Sequence, residues 1–309
     1  MCQLKSGIIL RNKCVLSQEH EESHSDLLSD LKIEDTLENA RRVFVRAELV
    51  PPDGNWWTDP DTWTFNVDQD ILPDWYTEDP GKYEQEFRES VKDWVNKHVF
   101  IDKVFQTLPE GYFLLKGCTI DEICTKTEVS MIDSTIKYIA KESVVVSMSG
   151  DSVINLMCDD AKVLEMRGKS KILIMSDNTT VLCMKNETVI DEAYGHAVIK
   201  KMYGKSLVQC LYDKAVVHEM YRDAAVKKMR GTSVVCEMKM RSVVEDMRDE
   251  SVVQNMFDDS MVKEMHSLSV VCGMYGKSVV KTIHEKAIAM RRKDNKLSVA
   301  EESSLKLAN

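Results

Sequence analysis

The stretch from Ser242 to Lys286 divides into five blocks of nine residues: SVVEDMRDE, SVVQNMFDD, SMVKEMHSL, SVVCGMYGK and SVVKTIHEK. Traced backwards, the register puts Met at every ninth position from Met148 to Met274, with Ala193 and Leu211 standing in twice and Ile283 closing the series. Five residues before each of these sits Ser, Thr or Ala, and three before sits Val or Ile. Sixteen blocks keep this pattern without a slip. A fixed short period of this kind is the mark of a repeat architecture.

The residue types say which way each position points. The small residue, the Val or Ile, and the Met hold their character, so they face a shared interior. The position four before the Met ranges over Val, Lys162, Lys171, Thr180, Ala225 and Met261, as a solvent-facing site would. Two after the Met, Gly or Asp is frequent (Gly150, Asp159, Gly168, Asp177, Gly204, Asp213). Those types suit corners that need positive φ or side-chain bonds to the backbone. Nine is not a multiple of 3.6, the small-x-Val core alternates with period two, and β-branched residues favour strands. Each block therefore reads as one short strand and one corner of a β-solenoid, with strands stacked about 4.8 Å apart. The substitutions Ala193, Leu211 and Ile283 are 18 and 72 residues apart, and Val alternates with Ile from Val145 to Ile190. Both favour two blocks per coil, with a three-sided coil of 27 residues left open.

The pattern begins before Ser143. Cys118–Ile123, Thr127–Ile132 and Ser134–Ile139 keep it, with spacings of nine, seven and nine and with Ile at the Met position. The seven-residue step predicts a tightened corner. At the far end the pattern fails at residues 287–290, and Arg291, Arg292 and Lys293 follow. Such charges blunt an open sheet edge. The expected fold is mainly β: an acidic α+β head domain over 1–117, a nonapeptide-repeat β-solenoid over 118–290, and a C-terminal cap or disordered tail over 291–309.

All five Trp lie in the head. Lys5–Leu10 and Lys13–Leu16 read as a hairpin. Ser25–Lys32 and Glu34–Arg42 read as helices, the second capped by Asp35 or Thr36. Val43–Leu49 and Thr62–Val67 read as strands, Pro51–Gly54 as a turn. A helix from Asp79 to about His98 carries Phe87, Val91, Trp94 and Val95 on one stripe. Gly111–Lys116 reads as a further strand.

Charge narrows the function classes. The net charge is −10, but residues 1–142 carry 16 Lys and Arg against 28 Asp and Glu, while residues 143–290 carry 20 against 20. Neither part offers the basic field of a nucleic-acid binder. No apolar run is long enough to cross a bilayer, and no signal-peptide pattern opens the chain. Nine Cys lie scattered without framework spacing. Free thiols point to a reducing, cytoplasmic setting, or to a virion component made in one.

Four groups of residues could carry chemistry. Cys2 would become N-terminal if Met1 were removed, with its own α-amine as base; the plainer reading is the start of the first strand. His20 and His24 are spaced to share a metal on a helical turn, and His20-Glu21-Glu22-Ser23-His24 matches H-E-x-x-H letter for letter. That motif needs a long buried helix, whereas this segment is polar and Ser-rich and has no third ligand in view. Asp59, Asp61, Asp68, Asp70 and Asp74 are spaced as Ca²⁺ ligands can be, but the Asp-Gly spacing of a Ca²⁺ loop is missing and turns account for them. Tyr194, Tyr203, Tyr212 and Tyr221 recur one residue after the Met position. With two blocks per coil, Tyr194 lies over Tyr212 and Tyr203 over Tyr221. Such rings could bind a partner or sugar, or could stabilise the solenoid alone. No cofactor pattern is present, since GGxGxD corners are missing.

The opening MCQLKSGIIL, the HSDLL segment, FVRAEL with its following Pro pair, and FNVDQDILPDW resemble uncharacterised proteins of gut bacteria and their phages. In those, a similar head precedes nonapeptide repeats of A-T-V-x-x-I-x-x-x type. The resemblance spans nearly the whole chain and implies a head-plus-solenoid build in a phage or mobile-element context; here Met often replaces Ile. The expected function is a non-enzymatic interaction or scaffold protein with a protein partner, no membrane or nucleic-acid ligand, and self-association left open. The alternatives are an enzyme using Cys2 and a structural phage component.

Overall fold

A computed structural model describes residues 4–17, 23–293 and 296–299. The chain forms two compact units, Met1–Ile101 and Asp102–Asn309.

The first unit is built on a four-stranded antiparallel sheet of β1 (Lys5–Leu10), β2 (Lys13–Leu16), β3 (Phe44–Val50) and β4 (Thr64–Val67), in the order β2-β1-β3-β4. Alternation sends Ile8 and Phe44 to one face, where they pack with Leu27 and Leu28 of α1 (His24–Asp30) and Ala40 of α2 (Leu37–Arg42). The other face meets the long helix that the apolar stripe predicts. After the short α3 (Asp74–Thr77), α4 (Pro80–His98) buries Tyr83, Phe87, Val91 and Trp94. A Cβ on Gly7 would fall 2.5 Å from a Phe87 ring carbon, so only glycine lets the helix approach there. Asp79 caps α4 by accepting from the Lys82 amide, and Thr36 caps α2 through Asn39. Lys5 is fully buried: its Nζ donates to the Ser17 carbonyl at 2.6 Å and lies 3.6 Å from the Trp94 ring centroid.

The second unit is a parallel β-solenoid. Successive strands alternate between two sheets. One has 11 strands, from Val104–Thr107 through Thr119–Ile123 to Val279–Ile283; the other includes Gly111–Lys116, Thr127–Ile132 and the alternate strands up to Ile288–Lys293. From Thr135 to Ile283 each parallel pair joins residues eighteen apart, as Met157 with Met175 and Met166 with Met184, while the first coils step by 15 to 17. A coil is thus two blocks, not three. Its interior holds the small residue, the Val or Ile, and the Met of each block. From Ser143 to Met265 every one of these is fully buried or within 1% of it.

Period two cannot place both the Val and the Met inside, because they are three residues apart. Each strand resolves this at its centre. In Val153–Met157 the ladder joins the first, second, fourth and fifth residues to the next coil and passes over Asn155. Asn155 and Leu156 both stay partly exposed, while Ile154 and Met157 are buried.

Every corner turns on a left-handed residue two after the Met position, in all sixteen blocks from Gly150 (φ 64°) to Glu285 (φ 55°). Asp there adds a bond between coils. Asp213 Oδ2 accepts from the Gly195 amide at 3.2 Å, and Asp249 Oδ2 accepts from Gly231 at 2.9 Å. Asp258 does the same for Met240 at 3.0 Å. A left-handed conformation costs a Cβ-bearing residue about 1–2 kcal/mol; these charge-assisted bonds offset part of that.

Three expectations change. The parallel ladder begins before Cys118, since Val104–Thr107 pairs with Thr119–Ile123 and Gly111–Lys116 with Thr127–Ile132. At the seven-residue step the interior position belongs to Met131, which is 1% exposed, and Ile132 turns outward. That block has one residue, Ser130, between its Val and Met instead of two, and the next coil absorbs the difference as a register shift between Val145 and Ser147. Beyond the charged residues, Lys296–Val299 pairs antiparallel with Ile288–Lys293, so part of the segment expected as a cap or disordered tail is a strand.

The small-residue ladder predicts an asymmetry. The hydroxyls of Ser206, Ser233, Ser242, Ser251 and Ser260 are buried without a hydrogen-bond partner among the described residues. Ala161, Ala197, Ala215 and Ala224 fill the same position. Ser242→Ala is expected to change stability by less than about 1 kcal/mol, since no bond is lost. Met220→Ala empties a fully buried site and is expected to cost about 2–5 kcal/mol. Denaturant unfolding of the two variants beside the parent checks both.

Candidate functional site

The outer surface of the solenoid is organised by its own geometry. The residue after the Met leaves the strand and lies over the outward residue just before the Met. Because coils stack in register, like positions form ladders along two separate corners. One corner carries Tyr194, Tyr212, Arg230, Arg248, His266 and His284; the other carries Arg167, Lys185, Tyr203, Tyr221, Lys239, Phe257 and Tyr275. Tyr194 and Tyr212 stack with centroids 4.7 Å apart and planes 6° from parallel; Tyr203 and Tyr221 stack at 4.9 Å and 9°. Phe257 stacks on Tyr275 at 4.9 Å and His266 on His284 at 4.3 Å. These separations are the spacing of paired strands. The backbone imposes face-to-face stacking that free rings would avoid. The four tyrosines are therefore two pairs on strands of different sheets, not one patch.

Each ladder is charge-compensated. Tyr194 Oη donates to Glu192 at 2.7 Å, and Tyr221 Oη donates to Glu219. The bond to Glu192, with burial behind it, pushes the Tyr194 phenol well above its ordinary range. Lys239 Nζ lies 5.1 Å from the Tyr221 ring centroid and 2.5 Å from a Glu237 oxygen. Asp246 joins Arg230 at 2.8 Å and Arg248 at 3.2 Å. Partial burial raises the Asp246 carboxyl, but the hydrogen bonds and charges of Arg230 and Arg248 outweigh it and hold the group below its ordinary value of 3.8.

Five of the described thiols are shifted away from the reactive thiolate form. Cys14 is pushed up to about 11 by burial and by Glu86, and Cys124 to about 11 by burial and by Glu122. Burial also raises Cys158, Cys183 and Cys236. A thiol raised in this way stays protonated at neutral pH. Cys14, Cys124, Cys158, Cys183, Cys210, Cys236 and Cys272 are free thiols. Cys2 lies outside the described residues.

His20 also lies outside them. Its proposed companion His24 opens α1, and Ser23 before it is extended (φ −76°, ψ 159°), closing a capping box with Asp26. The helical turn that H-E-x-x-H requires is interrupted at Ser23. His24 instead meets two carboxylates that lie far away in sequence. It is 8% exposed, its Nε2 lies 3.1 Å from the Ala47 carbonyl, and its Nδ1 lies 3.3 Å from Asp68 Oδ2. Glu48 completes a group whose ligand atoms all lie within 4.8 Å of one another. Burial raises the Glu48 carboxyl, His24 opposes that rise, and Asp68 adds to it. Of the other turn aspartates, Asp59 accepts from the Asp61 amide at 3.0 Å and Asp61 pairs with Lys92 at 2.6 Å. Both have the turn roles that the Pro residues suggest. Glu48 carries no sequence signal of its own: it is one half-buried polar residue of an alternating strand.

No protein family, no curated protein and no solved structure matches this chain.

The Asp246 pairing sets a direction for acid stability. A depressed carboxyl contributes stability that is present above 3.8 and is lost as pH falls through the lower folded value. Asp246→Asn is expected to lower the melting temperature at pH 7 and to leave it nearly unchanged relative to the parent at pH 2. A melting series across that range checks it.

Proposed function

We propose that the protein is a non-enzymatic interaction or scaffold protein, of phage or mobile-element origin, whose solenoid presents an extended wall to a protein partner. The carrying observation is the pair of corner ladders, where half-buried rings and cations repeat at strand spacing. A stacked repeat gives a long surface with few ways to deform, and so binds extended partners without a large ordering cost. Tyr and Arg are the residues most often found at the energetic centres of interfaces. The raised thiols among the described residues and the salt-compensated ladders favour this reading over catalysis. The acidity confined to the N-terminal part suits a basic partner surface there.

The experiment uses the full chain as bait in lysate of the native host, beside two double variants, Tyr194→Ala with Tyr212→Ala and Tyr203→Ala with Tyr221→Ala. A captured protein that one double variant loses, while the circular dichroism spectrum is kept, supports the reading. Capture unaffected by either double variant removes the ladders from it. Light scattering separates the structural-component alternative: a stable trimer supports a fibre segment, a monomer opposes it. Intact mass and a thiol-reactive probe decide the Cys2 alternative. Retained Met1, or a Cys2 no more reactive than the other thiols, eliminates it.

A further inference from the structure

We propose that the N-terminal unit binds one divalent transition ion of the zinc class through His24, Glu48 and Asp68. This is independent of the role of the solenoid. Three elements converge on the point. His24 is the first residue of α1, Glu48 is a half-buried residue of β3 on the face that carries Phe44, and Asp68 follows β4. Main-chain bonds hold each of them. Glu48 is in register with Asn66 of β4, and the Asp68 amide donates to the Arg46 carbonyl at 3.0 Å.

The hydrogen bonding of His24 carries the argument. A carbonyl only accepts, so the contact to Ala47 at 3.1 Å places a proton on Nε2. In the neutral ring Nδ1 then presents its lone pair to the Asp68 carboxylate 3.3 Å away. Two acceptors at that distance repel unless a proton or a cation lies between them. A backbone carbonyl on the far ring nitrogen is also what orients metal-bound histidines. Two ligand atoms, each about 2.1 Å from a tetrahedral or octahedral ion, stand about 3.0–3.4 Å apart, which the His24–Asp68 distance meets. Glu48 adds a second carboxylate in a partly desolvated place, where two negative groups close together are costly without a positive one. One imidazole nitrogen with two carboxylates suits Zn²⁺ and Mn²⁺, has no sulfur for Cu⁺, and has too few oxygens for a Ca²⁺ cage. The Asp68 side chain is 62% exposed, which leaves an entry path and room for water as a further ligand.

The other cluster of this kind, Cys158 with Asp159 and Asp177, serves as the control. Its carboxylates already accept the Lys141 and Asp159 amides at 3.3 and 3.4 Å, and its thiol donates to Tyr138 at 3.1 Å.

The test strips the full chain with a chelator and titrates Zn²⁺ by calorimetry, with metal analysis after gel filtration; Mn²⁺ serves as the second probe. The expected result is one ion per chain, with affinity reduced about tenfold or more in Asp68→Ala and in Glu48→Gln and unchanged in Cys158→Ser. Asp68 is exposed, so its variant is expected to stay folded even if His24→Gln does not, and circular dichroism confirms the fold before titration. Zinc binding by Asp68→Ala and Glu48→Gln at the parent affinity overturns the proposal. So does a parent chain that holds no ion.

Discussion

The in-register hydrogen bonding of one coil to the next governs the rest of the solenoid. Each strand is four to six residues long and would not persist alone. Parallel pairing at a step of eighteen residues supplies partners for its amides and carbonyls on both sides. The same step places every residue over one of its own repeat position, and this alignment explains the sequence economy. Val lies on Val, Met on Met, and a small residue on a small residue, so one packing solution recurs without adjustment. Where the Met series is broken, Ala193 lies between Met175 and Leu211, and all three are fully buried. Methionine is suited to such a column because it has three rotatable bonds and can fill a gap left by a neighbour.

The outer surface follows from the same constraint. Residues that leave the strand at the corner cannot choose their neighbours: rings stack because strands are spaced as they are. Tyr194 on Tyr212 and His266 on His284 are near parallel for that reason. Opposite charges assemble in the same way, as Lys263 reaches Glu245 at 2.7 Å one coil away. A wall built like this has a pattern but little freedom. Rigidity of that sort serves recognition of an extended partner better than it serves a reaction needing converging groups. The N-terminal unit is the reverse case. It brings residues 24, 48 and 68 together from three elements, and convergence of that kind can hold an ion.

The repeat was legible because its period is short and its interior positions admit few residue types. The small residue, the Val and the Met betray their direction, and the glycines and aspartates mark corners. The substitutions at 193, 211 and 283 favoured two-block coils, and the strand pairing at eighteen residues removed the three-block alternative. The reading weakened where the pattern lost residues. With Ser130 alone between Val129 and Met131, the interior column passes to Met131, and a nine-residue template assigns it to Ile132. The strands at Val104–Thr107 and Gly111–Lys116 escaped the repeat for a related reason: Lys103 and Gly111 stand where most other blocks have Ser, Thr or Ala, although both strands pair as repeat strands.

By itself the sequence determined the mainly β solenoid and its corners and favoured the two-block coil that would pair the tyrosines, because each rests on a periodicity that sterics and burial read locally; the eighteen-residue pairing of the strands decided the coil. The helices and strands of the N-terminal unit were within reach for the same reason, through caps and apolar stripes. Only the tertiary structure decided where the ladder begins, that the tyrosines belong to two corners, and that His24 meets Glu48 and Asp68. Those outcomes depend on pairing between distant strands, and the order β2-β1-β3-β4 is what sets Glu48 and Asp68 beside the first turn of α1. Spacing along the chain pointed His24 toward His20, which lies outside the described residues; the sheet brings Glu48 and Asp68 beside it.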